Sequence, residues 1–208
     1  MSAHDAAAIR DAATLILLRR RPGHPAQVLM GMRGAKAAFM PSKYVFPGGA
    51  VDPEDACAPA SCAIDPRLAA EPRPGSTADP AALLCCAARE LAEETGLTLR
   101  DGAAPLFMFR AITPPGRSRR FDARFFVIDA ADIRGDPDDF SGACDELSHL
   151  HWVALPEVRG LDLPFITEVV LAEVAALAEA AGDGPLPRPE SVPFFDNRDA
   201  EPRFVQLT

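Results

Sequence analysis

The segment "DPAALLCCAARELAEETG", residues 79–96, constrains the fold of this chain more than any other stretch. Asp79 is a good N-cap acceptor, Pro80 suits a first helical position and Gly96 suits a stop, so the spacing predicts a helix between them. Leu84, Ala87, Ala88, Leu91 and Thr95 line one stripe of that helix, while Glu90, Glu93 and Glu94 occupy another. One face is therefore predicted to be buried and the other to be acidic. Positions i, i+3 and i+4 are neighbours on a helix, so each close glutamate pair costs about 0.2–0.5 kcal/mol.

Two readings of that cost are open. Carboxylates held side by side on a rigid helix are the hard oxygen ligands that Mg²⁺ or Mn²⁺ takes, and a divalent cation turns their repulsion into attraction. Arg89 stands four residues before Glu93 and is placed to hold its rotamer. The alternative is a solvated face laced by Arg–Glu pairs.

Around this helix the chain alternates strand-like and helical patterns. "AATLILLRR" (12–20) and "AQVLMGMR" (26–33), joined by the turn "RPGHP", read as a hairpin, and "KYVFPGG" (43–49) as a short strand that opens into glycines. Residues 1–11 read as a loose polar arm. Residues 52–78 lack sustained periodicity and read as an inserted excursion within one domain, with a short helical turn at 66–70. Strands return at "APLFMFRAI", "ARFFVIDA" and "LHWVAL"; "FITEVVLAEVAALAEAAG" is a last helix ending at Gly182. Residues 183–208 form a proline-broken tail with one edge strand at its end. This order predicts a single α/β domain over residues 1–208 with a mixed sheet.

Charge and cysteine usage narrow the partners. A net charge of −9 argues against broad binding to nucleic acid or anionic membranes, which need a positive field. The apolar stretch 12–18 is far short of a membrane span and follows no cationic segment, so a cytoplasmic protein is expected. Five cysteines, with Cys57/Cys62 and Cys85/Cys86 lacking CxxC spacing, read as reduced thiols. A small anionic ligand fits if local basic residues or a cation receive it.

"RELAEETGL" (89–97) resembles the second half of the Nudix box: Gly, five residues, Glu, seven residues, then Arg-Glu-apolar-x-Glu-Glu-x-Gly-apolar. "FPGG" ahead of it resembles the glycine loop in which that box begins. The resemblance implies a Nudix-type α/β/α sandwich around a mixed sheet and hydrolysis, with Mg²⁺ or Mn²⁺, of a nucleoside diphosphate linked to another moiety. It further implies Glu93 and Glu94 as main metal ligands, Glu90 as a further ligand or activator of water, the Gly49 carbonyl as a ligand, and Arg89 as their orienting partner. Two departures stand out. Gly49 lies 40 residues before Arg89 instead of 14, an insertion of 26, and counting back from Arg89 puts Ala81 where the first box glutamate belongs. Gly75 falls at the standard distance but follows no strand. The stretch from "AAFMPSKYVFPGGAVDPED" to "ITPPGRSRRFDARFFV" resembles the coenzyme A diphosphatase-like subgroup and raises coenzyme A or acyl-coenzyme A as substrate. The rival reading is a catalytically silent Nudix-like nucleotide sensor. A homodimer is left open.

Peripheral phosphates need basic residues. Arg33, Lys36 and Lys43 flank "AAFMPS", and Arg117, Arg119 and Arg120 precede "FDARFFV"; either group can grip phosphate or be a solvated charge run. Asp145 and Glu146 stand where several Nudix enzymes place a late-loop acid that activates water, or are turn acids before a strand. His149 and His151 alternate around Leu150 and are expected on one strand face, as a surface pair or metal ligands. Trp152 and Phe39 are expected either in the core or stacked on a base.

Overall fold

The computed structural model describes residues 8–37, 39–57, 64–76, 79–199 and 201–208. Its centre is strand β1 (Ile9–Arg19), which begins three residues earlier than the sequence pattern indicated, inside the expected arm; residues 1–7 of that arm lie outside the described residues. β1 is buried on both faces: Ala13, Leu15 and Leu17 point to one core, Ile16 and Leu18 to the other. Alternation of period two delivers this, and a strand covered on both faces reads as a continuous apolar run.

The remaining strands are β2 (Gln27–Arg33), β3 (Tyr44–Val45), β4 (Gly48–Ala50), β5 (Thr98–Leu99), β6 (Leu106–Ile112), β7 (Arg120–Asp129), β8 (Ile133–Arg134), β9 (Leu147–Ala154), β10 (Val192–Asp196) and β11 (Arg203–Leu207). The main sheet runs β11-β10-β6-β7-β1-β2-β3, with β4 on β1 and β9 on β2; β5 and β8 form a separate pair. β1 and β7 are parallel over ten pairs, as are β10 and β6, so the sheet is mixed. Helix α1 (Pro80–Thr95) packs Leu83, Leu84, Ala87 and Leu91 on one face. Helix α2 (Phe165–Ala181) packs Val170, Leu171 and Val174 on the other, completing the α/β/α sandwich. No helix among the described residues is long and apolar enough to cross a membrane.

One edge of β1 is divided. The hairpin with β2 is held at Leu18↔Val28 and Arg19↔Gln27, while further back β4 takes β2's place, pairing Gly48–Ala50 with Ala12–Thr14. Pro47 ends the preceding strand, yet its carbonyl still accepts from the Leu15 N–H at 3.0 Å. This fork sets the glycine loop beside α1.

The insertion is docked on the sheet. It holds two 3₁₀ turns, Pro53–Cys57 and Pro66–Ala69, the second capped by Asp65, whose carboxylate accepts from the Arg67 N–H at 3.0 Å. Arg67 also reaches the Pro189 carbonyl at 2.7 Å, and Arg110 on β6 donates to the carbonyls of Ala70 and Glu71. Beneath lies a buried ionic cluster. Asp122 on β7, 0% exposed, accepts from Arg110 Nε and Nη2 and from Arg73 Nε, and Asp11 on β1 accepts from Arg73, Arg124 and Ser76. Buried charges persist only when paired this completely.

The expected tail differs most. It supplies two strands of the main sheet, with β10 inside and β11 at the edge. Pro193 hid β10 from the sequence pattern. The parallel pairing with β6 covers only Phe194 and Phe195, so the sheet asks no hydrogen bond of Pro193 on that side. Asp122→Ala, which leaves Arg110 a buried cation without a carboxylate and Arg73 with Asp11 alone, is expected to destabilise the fold by about 3–5 kcal/mol in urea unfolding.

Candidate active site

Local signals in α1 do what the sequence asks. Asp79 caps the helix through the Ala82 N–H at 2.8 Å, and Gly96 ends it in a left-handed turn with φ 76°. Only glycine fits there, because a Cβ would lie 2.8 Å from the backbone of Gly142. That contact, with a bond of 3.0 Å from the Cys144 N–H to the Glu93 carbonyl, presses the loop carrying Asp145 and Glu146 against the acidic end of the helix.

Arg89 organises the acids. Its Nε and Nη2 form a two-pronged pair with Asp55 at 2.9 and 3.0 Å, Nη1 reaches Glu90 at 2.9 Å and Glu93 at 3.1 Å, and Nη2 also meets the Ala50 carbonyl at 3.2 Å. The Asp55 pair is the largest of several contacts that raise the pKa of Arg89. Burial would push Asp55 up, but bonds from Arg89 and from the Asp52 N–H outweigh it and hold the carboxyl below its usual range.

Asp55 was not foreseen. Counting back from Arg89 leads to Ala81, whereas counting forward from Gly49 over five residues leads to Asp55, in the 3₁₀ turn that follows the glycine loop. An acid therefore does stand at the first acidic position of the pattern, and the 26 extra residues fall after it.

Glu94 and Glu90 are the strained members. Glu94 is 1% exposed; its Oε2 accepts from the Gly48 N–H at 2.8 Å, while Oε1 is buried without a partner. Burial, with Glu90 and Glu146 nearby, pushes its pKa up to about 8 against the Gly48 bond. Burial also raises Glu90, with Arg89 opposing. Gly49 lies directly on Glu90, since a Cβ there would be 2.2 Å from Oε1. Its carbonyl is met by the Cys86 thiol at 3.6 Å, and burial pushes that thiol's pKa up to about 12, so it stays protonated.

These residues fit a hard divalent cation: Glu94, with its orphaned buried oxygen, and Glu90 lie against the Gly48–Gly49 turn and its carbonyl, and Glu93 shares Arg89 with Glu90. Among the described residues no three such side chains form a ready-made cage, because Glu90 and Glu93 turn to Arg89 and Glu94 to Gly48. A cation there would have to draw Glu90 and Glu93 from Arg89 and Glu94 from Gly48.

The basic candidates separate. Arg33 belongs here, paired with Glu146 at 2.8 Å. Lys43 pairs with Asp162. Lys36, Arg117 and Arg119 are exposed. Arg120 does not serve as the expected phosphate ligand: it is buried and donates to the carbonyls of Thr113, Asn197 and Arg198, tying β7 to the segment after β10. A β-bulge, where the register passes from Met30↔His151 to Met32↔Ser148, breaks the expected alternation of His149 and His151; both are exposed. Trp152 packs with the core under the Arg19 guanidinium, 3.8 Å away, and Phe39 meets Phe121 edge-on at 5.1 Å. Cys86 and Cys144 form no disulfide among the described residues, and Cys62 lies outside them. A groove of about 510 Å³ between Arg67 and Pro189 shares no residue with the acidic site, and Arg67 there is already engaged by Asp65 and Pro189.

No family model and no curated protein matches the sequence. Among solved structures the chain is similar to a Nudix hydrolase from Alicyclobacillus acidocaldarius, with 25% identity and a TM-score of 0.63 over 87% of this chain and 99% of that one. It shares its fold with RenU, a Nudix hydrolase from M. smegmatis (18% identity, TM-score 0.50, 82% and 86% covered). The same holds for the Nudix domain of Shewanella oneidensis NrtR, solved in complex with ADP-ribose (14%, 0.51, 85% and 92%).

A raised carboxyl pKa favours the folded state below the unfolded value and loses that contribution as pH rises through the folded value. Without divalent cations, Glu94 should therefore weaken the fold progressively as pH rises from its ordinary pKa of 4.5 to about 8. Thermal melts should show Glu94→Gln gaining on the wild type across that window and levelling off above it. Added Mg²⁺ should raise the wild-type midpoint and leave that of Glu94→Gln nearly unchanged.

Proposed function

The chain belongs to the Nudix hydrolase superfamily, and from that premise we propose that it uses a divalent cation to hydrolyse a nucleoside diphosphate linked to another moiety. The observation that carries this reading is the buried, half-satisfied Glu94 on a glycine turn, beside Glu90 and Glu93 held by the Arg89–Asp55 pair.

In this reading Glu93, Glu94, Glu90 and the Gly49 carbonyl hold Mg²⁺ or Mn²⁺. When bound, the cation supplies charge neutralisation at the diphosphate and a lowered pKa for water. Arg89 keeps Glu90 and Glu93 on the helix face toward the substrate, and Asp55 fixes Arg89 from behind. Glu146 takes the proton of the attacking water as its oxygen bonds to phosphorus and the bridging P–O bond breaks, the leaving phosphate keeping the electron pair. The reading assigns the phosphates to Arg33, to Lys43 once it leaves Asp162, and to the exposed Arg119.

The sequence grounds for a silent sensor are Ala81 and the displaced glycine; Asp55, which meets Arg89 with both oxygens, weighs against the first. The subgroup resemblance puts coenzyme A and acyl-coenzyme A first among substrates, and the NrtR complex adds ADP-ribose. The reading includes a cytoplasmic setting, in line with the short apolar stretch 12–18 and the cysteines read as reduced thiols.

Purified protein with Mg²⁺ should turn over at least one of coenzyme A, acyl-coenzyme A, ADP-ribose, NADH and diadenosine polyphosphates, releasing two phosphate esters. Binding without turnover of any of them would favour the sensor. On the compound cleaved, Glu93→Gln and Glu94→Gln should each lower kcat roughly a hundredfold or more with the fold intact. Asp55→Asn, which loosens the group behind the ligands, should lower it about 10–100-fold, and Asp55→Glu should recover part of that loss.

A further inference from the structure

Arg33 and Glu146 are brought together by sheet register, not by side-chain reach. Arg33 is the last residue of β2 and its partner across the sheet is Leu147, so Glu146 immediately precedes that pair. Leu147 packs onto Gly31, where a Cβ would lie 2.9 Å from the Leu147 Cβ, and this close approach holds the register. The Arg33 backbone is clamped on its other side, its N–H donating to the Lys43 carbonyl at 3.0 Å and its carbonyl accepting from the Ser42 N–H at 3.1 Å. Ser42 takes a positive φ of 57° to do so, a conformation unusual outside glycine.

The guanidinium so delivered is only partly used. Nη2 donates to Glu146 Oε1 at 2.8 Å, while Nε is buried with no partner. A guanidinium offers five donors in a planar fork suited to two-pronged contact with phosphate. Glu146 is the exposed member of the pair, and its charge acts on both Glu90 and Glu94. Arg33 thus brings a guanidinium with an unused donor to a carboxylate at the edge of the acidic site.

We propose that Arg33 is a shared partner, held by Glu146 in the free protein and taken over by a substrate phosphate, so that arrival of the diphosphate releases Glu146. This rests on the diphosphatase reading and adds to it a substrate-triggered step. A phosphate oxygen accepts from the Arg33 fork; the freed Glu146 carboxylate then takes a proton from water as the new P–O bond forms and the bridging P–O bond breaks. Arg33 is in this scheme both a phosphate ligand and a positioning residue for the base.

The test measures binding, so it does not depend on turnover. The probe is methylenediphosphonate, the non-hydrolysable core common to this substrate class, titrated calorimetrically with Mg²⁺ into wild type, Arg33→Ala, Glu146→Gln and the double variant. Arg33→Ala should weaken binding about tenfold or more. Glu146→Gln should tighten it about threefold, because the phosphate no longer competes for Arg33. In the Arg33→Ala background Glu146→Gln should change affinity less than about twofold. Equal tightening in both backgrounds would mean simple charge repulsion and overturn the proposal, as would no tightening at all. If Arg33→Ala does not fold, Arg33→Lys, which keeps the charge without the fork, takes its place in the cycle. A wild type that neither binds the probe nor cleaves any compound of the panel removes the diphosphatase reading itself; additive effects in a wild type that binds remove only the exchange.

Discussion

Everything at the acidic end of α1 depends on Arg89. Three glutamates within one and a half turns repel one another, and a single guanidinium meets two of them while Asp55 engages its opposite edge. The arrangement is charge-assisted and two-pronged on the Asp55 side, which makes it directional as well as strong. It leaves Glu94 outside the arginine's reach, answered only by the Gly48 N–H. That residual imbalance, a buried oxygen with no partner and a carboxyl pushed well above its ordinary range, is the physical signature that separates this helix from a solvated acidic face.

The sheet explains why the imbalance sits where it does. β1 is covered on both faces and cannot move, and its divided edge seats β4 against α1. Gly48 and Gly49 are needed because the approach leaves no room for a side chain: a Cβ on Gly48 would lie 2.6 Å from the Ala13 carbonyl oxygen. The insertion contributes to both ends of this design. Its first turn carries Asp55 to Arg89, and its later part locks onto the sheet through Arg67, Arg73 and the carbonyls of Ala70 and Glu71. Extra chain length inside the motif is tolerated because its two described parts are each anchored by buried charge pairs.

What could be read from the sequence was whatever is encoded locally. α1 has its cap, its proline and its stop within 18 consecutive residues, and each signal acts on its own neighbours. The apolar runs of β1, β6 and β7 were legible for the same reason. Asp55 is hidden from the local pattern because its partner lies 34 residues on, across the inserted segment. Arg120 was misread as a phosphate ligand because a charge run gives no sign of which member the fold buries; contacts 77 and 78 residues away decided it. β10 escaped because Pro193 is a breaker by local rules and is permitted only by where the pairing with β6 begins. The Arg33–Glu146 pair, 113 residues apart, exists only once β2 and β9 are in register.

The most direct test of the account is anomalous diffraction from crystals of the protein soaked in Mn²⁺. The account predicts an anomalous peak about 2.1 Å from carboxylate oxygens of Glu93 and Glu94, with Glu90 and the Gly49 carbonyl turned toward the same ion. A map with no peak there, in which Glu94 Oε1 has found a protein partner and Glu90 and Glu93 still rest on Arg89, would contradict it.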